Sequence, residues 1–313
     1  MMNIPMSDHV AHYIVAQKTL GYRYDHNESV LKSFARFAQA RGEYFVRSQS
    51  AIKWATRTRS ASQPLQARKL RIVCAFAKWM NVNDSRHQIP PHDVLGPSTF
   101  PRRPPHLISI GNIHRLLDAA LGLGPTGTIA PVTWYHLIGL VATTGMRISE
   151  ALALTLDDFT SDGLIIRNSK FGKSRLIALH SSTWETLSRY LQVRCKEPTS
   201  DRHLFVIATG RPPSVRYAHS TFRALAEKIG IRKIGASRGP TFHSMRHGFA
   251  IRSLQALESE ADASRHMLAL ATYLGHAQVS NTYWYLQATP ELLSGIAQTT
   301  EQTHRDQCGG DHD

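Results

Sequence analysis

The chain has 313 residues, 42% hydrophobic and 19% charged, so it holds enough apolar content for sizeable cores and is not disordered by composition. Its formal net charge of +14 runs along its whole length, with 14 basic against 6 acidic residues over 1–100 and 23 against 17 over the rest, which points to a polyanion gripped by both halves. Three dispersed cysteines (Cys74, Cys195, Cys308) indicate neither a disulfide framework nor a zinc site. Without an apolar run of about 18 residues or a signal-peptide pattern, the chain is expected in the cytoplasm and off the membrane.

Residues 1–97 read as a small bundle of four helices. Ser7-Asp8 offers a cap for a first helix carrying Val10, Ile14 and Leu20 on its apolar face. A second runs from Asn27 to Arg41, with Val30, Leu31, Phe34, Ala35 and Ala38 at helical spacing and Gly42 as its stop. Ser48–Thr58 and Pro64–Met80 follow; the latter buries Leu70, Val73, Cys74, Ala77 and Met80 on one face. Its polar surface and that of its neighbour carry Lys53, Arg57, Arg59, Arg68, Lys69 and Arg71 with few acids between, a candidate phosphate-contacting surface.

Gln88 to Pro105 contains prolines at 90, 91, 97, 101, 104 and 105 and reads as an extended connector, with the linker proper over 98–105. Arg102 and Arg103 in it are placed to touch a nucleic acid. A second domain then occupies 106–313. Ile113, Leu116, Leu117 and Ala120 share one helical face, and Pro131–Thr144 is an apolar helix broken at Thr144-Gly145, after which Arg147 opens a short helix. The β-like runs Leu164–Arg167 and Arg175–Leu179 flank a basic turn, Asn168–Lys173, and read as a hairpin. Helices resume at Ser182–Lys196, at His219–Ile229, from His243, and after Pro290, and a polar tail ends the chain. The fold class is mainly α with one small β-hairpin; the phosphate-binding GxxxxGK[ST] loop is absent.

The chemistry concentrates near the end. His243 and Arg246 are three residues apart on one helical face, His276 follows Leu274-Gly275, and Tyr285 comes nine residues later. With Arg147 and Lys170 they supply what an attack on a phosphodiester needs: guanidinium forks for the oxygens, proton-handling groups and a phenol nucleophile. A phenol with a pKa of about 10 is ionised in only about one molecule in a thousand at pH 7, a deficit of roughly 4 kcal/mol that a cationic pocket and a base must offset. Arg147 also stands at helical spacing to pair with Glu150, which reads as its orienting partner. His243, His247 and His276 lack the Glu of HExxH and are not read as zinc ligands.

Four motifs in this order (TGMRISEALALTLDD around Arg147, a lysine in a hairpin turn, the HxxRH box at 243–247, and LGH followed by a tyrosine nine positions on) resemble the catalytic domain of the tyrosine recombinase (phage integrase) family over roughly Leu107 to Gln298. The resemblance makes 1–97 the core-binding domain and 106–313 the catalytic one. It implies a site-specific recombinase that cuts and rejoins strands of double-stranded DNA through a 3′-phosphotyrosine, without metal, ATP or other cofactor. His243 would be the base, Lys170 the acid for the departing 5′-hydroxyl, His276 a phosphate ligand and Tyr285 the nucleophile. Lys173 competes with Lys170, because Ser169 and Phe171 depart from the usual GKGxK turn; Tyr283 competes with Tyr285 but lacks the spacing. Relatives act as tetramers on paired sites, with the Pro290–Gln298 helix as the element that docks on a neighbour; accessory proteins are a further possible partner. The rival readings are a type IB topoisomerase and a catalytically silent DNA-binding accessory protein.

Overall fold

The computed structural model describes residues 4–22, 24–58, 60–99, 105–125, 127–167, 174–256 and 263–275. Two compact units cover residues 1–103 and 104–313. Among the described residues are eleven α-helices and one three-stranded antiparallel sheet.

The first unit comprises α1 (Met6–Thr19), α2 (Asp25–Gln39), α3 (Ser48–Thr56) and α4 (Gln63–Asn83). Helix α4 packs against the other three around Leu31, Phe34, Trp54, Leu70 and Phe76, all buried. The start of α1 differs from the sequence reading. Pro5, with φ −59°, stands at the cap position and Met6 is fully buried, while the Ser7 hydroxyl donates to the Asp8 carboxylate and accepts from Gln39 inside the first turn. A proline's fixed φ pre-sets the helix entry, so a Ser-Asp cap is not needed. Leu20 lies beyond the last turn and is exposed; Met6 and Tyr13 complete the apolar face with Val10 and Ile14.

The start of the expected connector folds back on this unit. Gln88 N–H donates to the Val46 carbonyl (2.9 Å), the Cys74 thiol donates to the Pro90 carbonyl (3.2 Å), and Gln63 holds the Leu95 carbonyl. Leu95 packs on the same core. Residues 88–95 are therefore part of the first unit, because their carbonyls and one leucine find partners there. Cys74 is a buried core residue, and burial pushes its thiol pKa up.

The second unit is built round α6 (Ala130–Thr144), which is apolar on nearly every side and contacts α5 (Ile110–Ala120), α7 (Ile148–Ala153), α8 (Ser181–Arg194) and α10 (Phe242–Gln255). Trp134, Leu137, Ile138 and Val141 of α6 are buried in one core with Phe205, Phe222 and Phe242. After α7 and a 3-10 turn (Leu156–Asp158), the sheet runs β1 (Phe159–Thr160), β2 (Gly163–Ile166) and β3 (Arg175–Ile177), in that order. Leu164 pairs with Ile177 and Ile166 with Arg175, which turns Leu164, Ile166 and Ile177 into the core. The hairpin stands where the sequence puts it, and β1 adds a third strand to it. Helix α9 (Val215–Lys228) starts four residues before the expected His219, because Ser214 accepts from the Tyr217 N–H (3.1 Å) and caps it. Helix α11 (Ala263–Leu274) lies on α10 through a small separate core of Ala250, Ile251, Leu254, Met267, Leu270 and Leu274.

Candidate active site

Helix α6 ends where Gly145 takes a left-handed conformation (φ 62°), and its N–H closes the last turn onto Val141. A side chain there is barred twice over. The conformation is costly for other residues, and an added Cβ would lie 2.5 Å from Phe249 Cδ1. The chain leaves this turn extended and places Arg147 at the cap position of α7 (ψ 143°). Glu150, in the first turn of α7, accepts from the Arg147 backbone N–H (3.0 Å) and from its Nη1 (2.7 Å). An acid suits this position, since the helix N-terminus carries partial positive charge.

Three arginines converge from here on the end of α11. The last carbonyls of a helix have no intrahelical donors, and cations complement them. Arg175 Nε donates to the Tyr273 carbonyl (2.9 Å), Arg246 Nη2 to that of Leu274 (2.7 Å) and Arg147 Nη2 to that of Gly275 (3.3 Å). Arg246 sits one turn into α10 from His243, is 2% exposed, and also donates through Nη1 to the Gly145 carbonyl (2.8 Å). It thus ties the end of α6 to the end of α11. Arg175 closes the frame by donating to both Glu150 oxygens (3.2 and 2.8 Å). Burial alone would raise the Glu150 carboxyl, but the hydrogen bonds from Arg175 and Arg147 outweigh it and hold its pKa below the usual carboxylate range. One carboxylate against three guanidiniums leaves a net cationic site.

His243 reaches the surface at the start of α10, with its ring edge-on to His247 at 4.2 Å between centroids. The protein crowding its ring, and then the charges of Arg246 and Arg147, depress its pKa below the ordinary histidine value. The imidazole is therefore neutral at physiological pH and able to accept a proton. Arg147 is the more open guanidinium, its side chain 30% exposed.

Arg147, His243 and Arg246, expected together from sequence, are brought together. Lys170, Lys173, His276, Tyr283, Tyr285 and the Pro290–Gln298 segment lie outside the described residues, as do Arg59, Arg102 and Arg103. In the first unit Lys53, Arg57, Arg68 and Arg71 are exposed and Lys69 partly so; Arg57 also donates to the Ser33 hydroxyl (3.1 Å). The sequence reading passed over Arg175, whose only signal is a charge at the start of an otherwise apolar strand. It also passed over a recess of about 340 Å³ beside the start of α10, lined by Arg223, Arg232, Arg238, His219 and Thr241. Among the described residues no cluster of His, Cys, Asp and Glu could hold a metal ion, and no helix is long and apolar enough to cross a membrane.

The sequence model of the phage integrase family matches residues 111–291. A Sinorhizobium fredii (strain NBRC 101917 / NGR234) protein, y4rB, designated a candidate integrase/recombinase, is 38% identical over 306 residues, covering 95% of this chain and 97% of the relative. The tyrosine recombinase XerD of Mycobacterium tuberculosis is 31% identical over 209 residues, 65% of this chain and 63% of its own. Among solved structures, the Tn1549 transposon integrase in complex with transposon right-end DNA superposes with a TM-score of 0.66 at 18% identity, covering 95% of this chain and 99% of that one. The XerH site-specific recombinase bound to a palindromic difH substrate does so with a TM-score of 0.62 at 18% identity, covering 87% and 78%. At these identities the superpositions speak to the fold, whereas the family match spans more than half the chain: it belongs to the phage integrase family of tyrosine recombinases, enzymes of site-specific DNA recombination.

Proposed function

We propose that the chain cleaves each strand of its DNA site by attack of the Tyr285 oxygen on phosphorus, with Arg147 and Arg246 holding the phosphate. The Oη–P bond forms as the P–O5′ bond breaks. The phenol proton passes to His243, and Lys170 supplies one to the departing 5′-oxygen; the reverse reaction with a new 5′-hydroxyl rejoins the strands. The observation that carries this reading is the convergence of Arg147 and Arg246 on the chain at the end of α11, one residue before His276, with His243 one turn from Arg246 on α10. Charge that builds on the phosphate oxygens meets prearranged donors there. Side chains supply the cations, so neither metal nor ATP is required.

Residues 1–97 are the core-binding domain in this reading, and Lys53, Arg57, Arg59, Arg68, Lys69 and Arg71 contact phosphates. Arg102 and Arg103 of the 98–105 linker and Lys173 of the hairpin do the same, and 106–313 is the catalytic domain. The protein acts in the cytoplasm as a tetramer on two inverted-repeat sites of a mobile element, the Pro290–Gln298 helix docking on a neighbouring subunit, with accessory proteins as additional partners. The full chain is used to select its site from a random-sequence duplex pool, and a nicked version of that site then traps the cleaved state. Wild type should form a covalent adduct in excess EDTA without ATP. Tyr285→Phe should bind the site but form none, and Tyr283→Phe should keep the adduct. An adduct on Tyr283, a strict need for Mg²⁺, or no adduct from wild type would overturn the reading.

A further inference from the structure

Arg175 stands one layer behind Arg147. Its side chain is 12% exposed, against 30% for Arg147, so it faces the interior of the frame. All three of its guanidinium nitrogens are engaged: Nη1 and Nη2 on the two Glu150 oxygens, Nε on the Tyr273 carbonyl. It also crowds Gly275, where an added Cβ would come within 3.0 Å of Nη1 and 3.1 Å of Cζ. The left-handed Gly275 (φ 67°) therefore leaves room for this guanidinium.

The charge count gives the arrangement a purpose beyond scaffolding. Glu150 also binds Arg147 through Nη1 and the backbone. With Arg147 as its sole partner, the carboxylate would neutralise the guanidinium that is open to the substrate. Sharing Glu150 with Arg175 leaves the trio one positive charge in surplus. At the same time it fixes Arg147 through a carboxylate that cannot swing away. Arg175 also opens β3, paired with Ile166 of β2, so the strand that follows the Lys170 turn is bolted to the end of α11.

We infer that Arg175 is a positioning residue for strand cleavage: it shares Glu150 with Arg147 so that Arg147 stays aimed and cationic, and it anchors the carbonyl end of α11 from which the chain passes to His276. This rests on the phosphate-binding role proposed for Arg147. The test uses the full chain on its selected, nicked duplex, with either an ordinary phosphodiester or an uncharged methylphosphonate at the scissile position. Arg175→Gln should slow cleavage of the phosphodiester about 100-fold, the scale set by displaced or uncompensated oxyanion donors. DNA binding should change little. On the methylphosphonate, which has no phosphate charge to hold, the loss relative to wild type should be at least threefold smaller. Arg175→Lys keeps a cation but not the three-way fork; it is judged by the same ratio if thermal unfolding shows Arg175→Gln to be unfolded. Losses equal within threefold on the two substrates would reduce Arg175 to a structural part and overturn the inference, as would cleavage of the phosphodiester within threefold of wild type. A wild type that leaves both substrates uncut would instead overturn the function proposed above.

Discussion

Gly145→Ala tests whether the turn between α6 and α7 is as tight as the frame requires. A methyl group there would stand 2.5 Å from Phe249 Cδ1, 2.9 Å from its Cγ and 3.2 Å from Leu274 Cδ2. Two costs add. A left-handed conformation costs a non-glycine residue about 1–2 kcal/mol, and forcing a ring aside in a packed region costs about 1–3 kcal/mol. Restricting the unfolded chain returns about 0.4–1 kcal/mol. The net loss is about 1–4.5 kcal/mol, which for a unit of this size lowers Tm by roughly 2–18 °C. Gly230→Ala is the control in the same unit: its φ is 79° but nothing lies within 4 Å of the added carbon. It should cost about 1 kcal/mol or less, since only the conformational part remains. Thermal and urea unfolding of the full-length variants measure both. A Phe249→Ala background should shrink the extra cost at Gly145 and leave that at Gly230 unchanged. Equal costs at the two glycines, within about 0.5 kcal/mol, would refute the close approach. Because the Gly145 carbonyl holds Arg246, cleavage should also fall more than DNA affinity does.

Three further outcomes are expected. His243 has a depressed pKa, so its basic form is present above that value and is lost as pH falls through it; the rate constant for cleavage at sub-saturating DNA should show an acid limb with its midpoint below about 6.5, absent in His243→Gln, and a midpoint at or above that value would contradict the crowding round the ring. The same depression means the unfolded chain takes up the proton first, so His243 lowers stability as pH falls from about 6.5 through its folded pKa. Lys170→Ala should slow cleavage of ordinary DNA severely yet recover on a substrate with sulfur at the 5′-bridging position, since a thiolate leaves without a proton; recovery of Lys173→Ala instead would exchange the two lysines.

Periodicity was enough to read the helices, because most bury a continuous face: α2 with Leu31 and Phe34, α4 with Leu70 and Val73, α6 on nearly all sides. Their ends were less legible where a proline or a single serine decides the first turn, as at Pro5 and Ser214. The two-residue β1 is too short to show alternation. Arg147, His243 and Arg246 were legible because each sits in a local pattern of glycine, acid or helical spacing. Arg175 was not: its partners are Glu150 and Tyr273, 25 and 98 residues away, and no local pattern encodes them. Residues 88–95 fall within the 1–97 domain as read, but their bonding to it is not legible for a related reason, since proline content reports stiffness and not which carbonyls are already bonded.

The grip of three arginines on one helix end has a consequence for how the molecule comes to be active. Its links span long stretches of sequence: 128 residues from Arg147 to Gly275, 101 from Gly145 to Arg246, 98 from Arg175 to Tyr273. Contacts of such separation form late, because the intervening chain must first be closed into loops. During synthesis at about 5–20 residues per second, no arginine of the frame can meet its partner carbonyl until residues 273–275 have emerged. A nascent chain therefore completes its basic first unit well before it acquires a centre that can cut. The nuclease-like chemistry is withheld until α6, α7, β3, α10 and α11 are all in place.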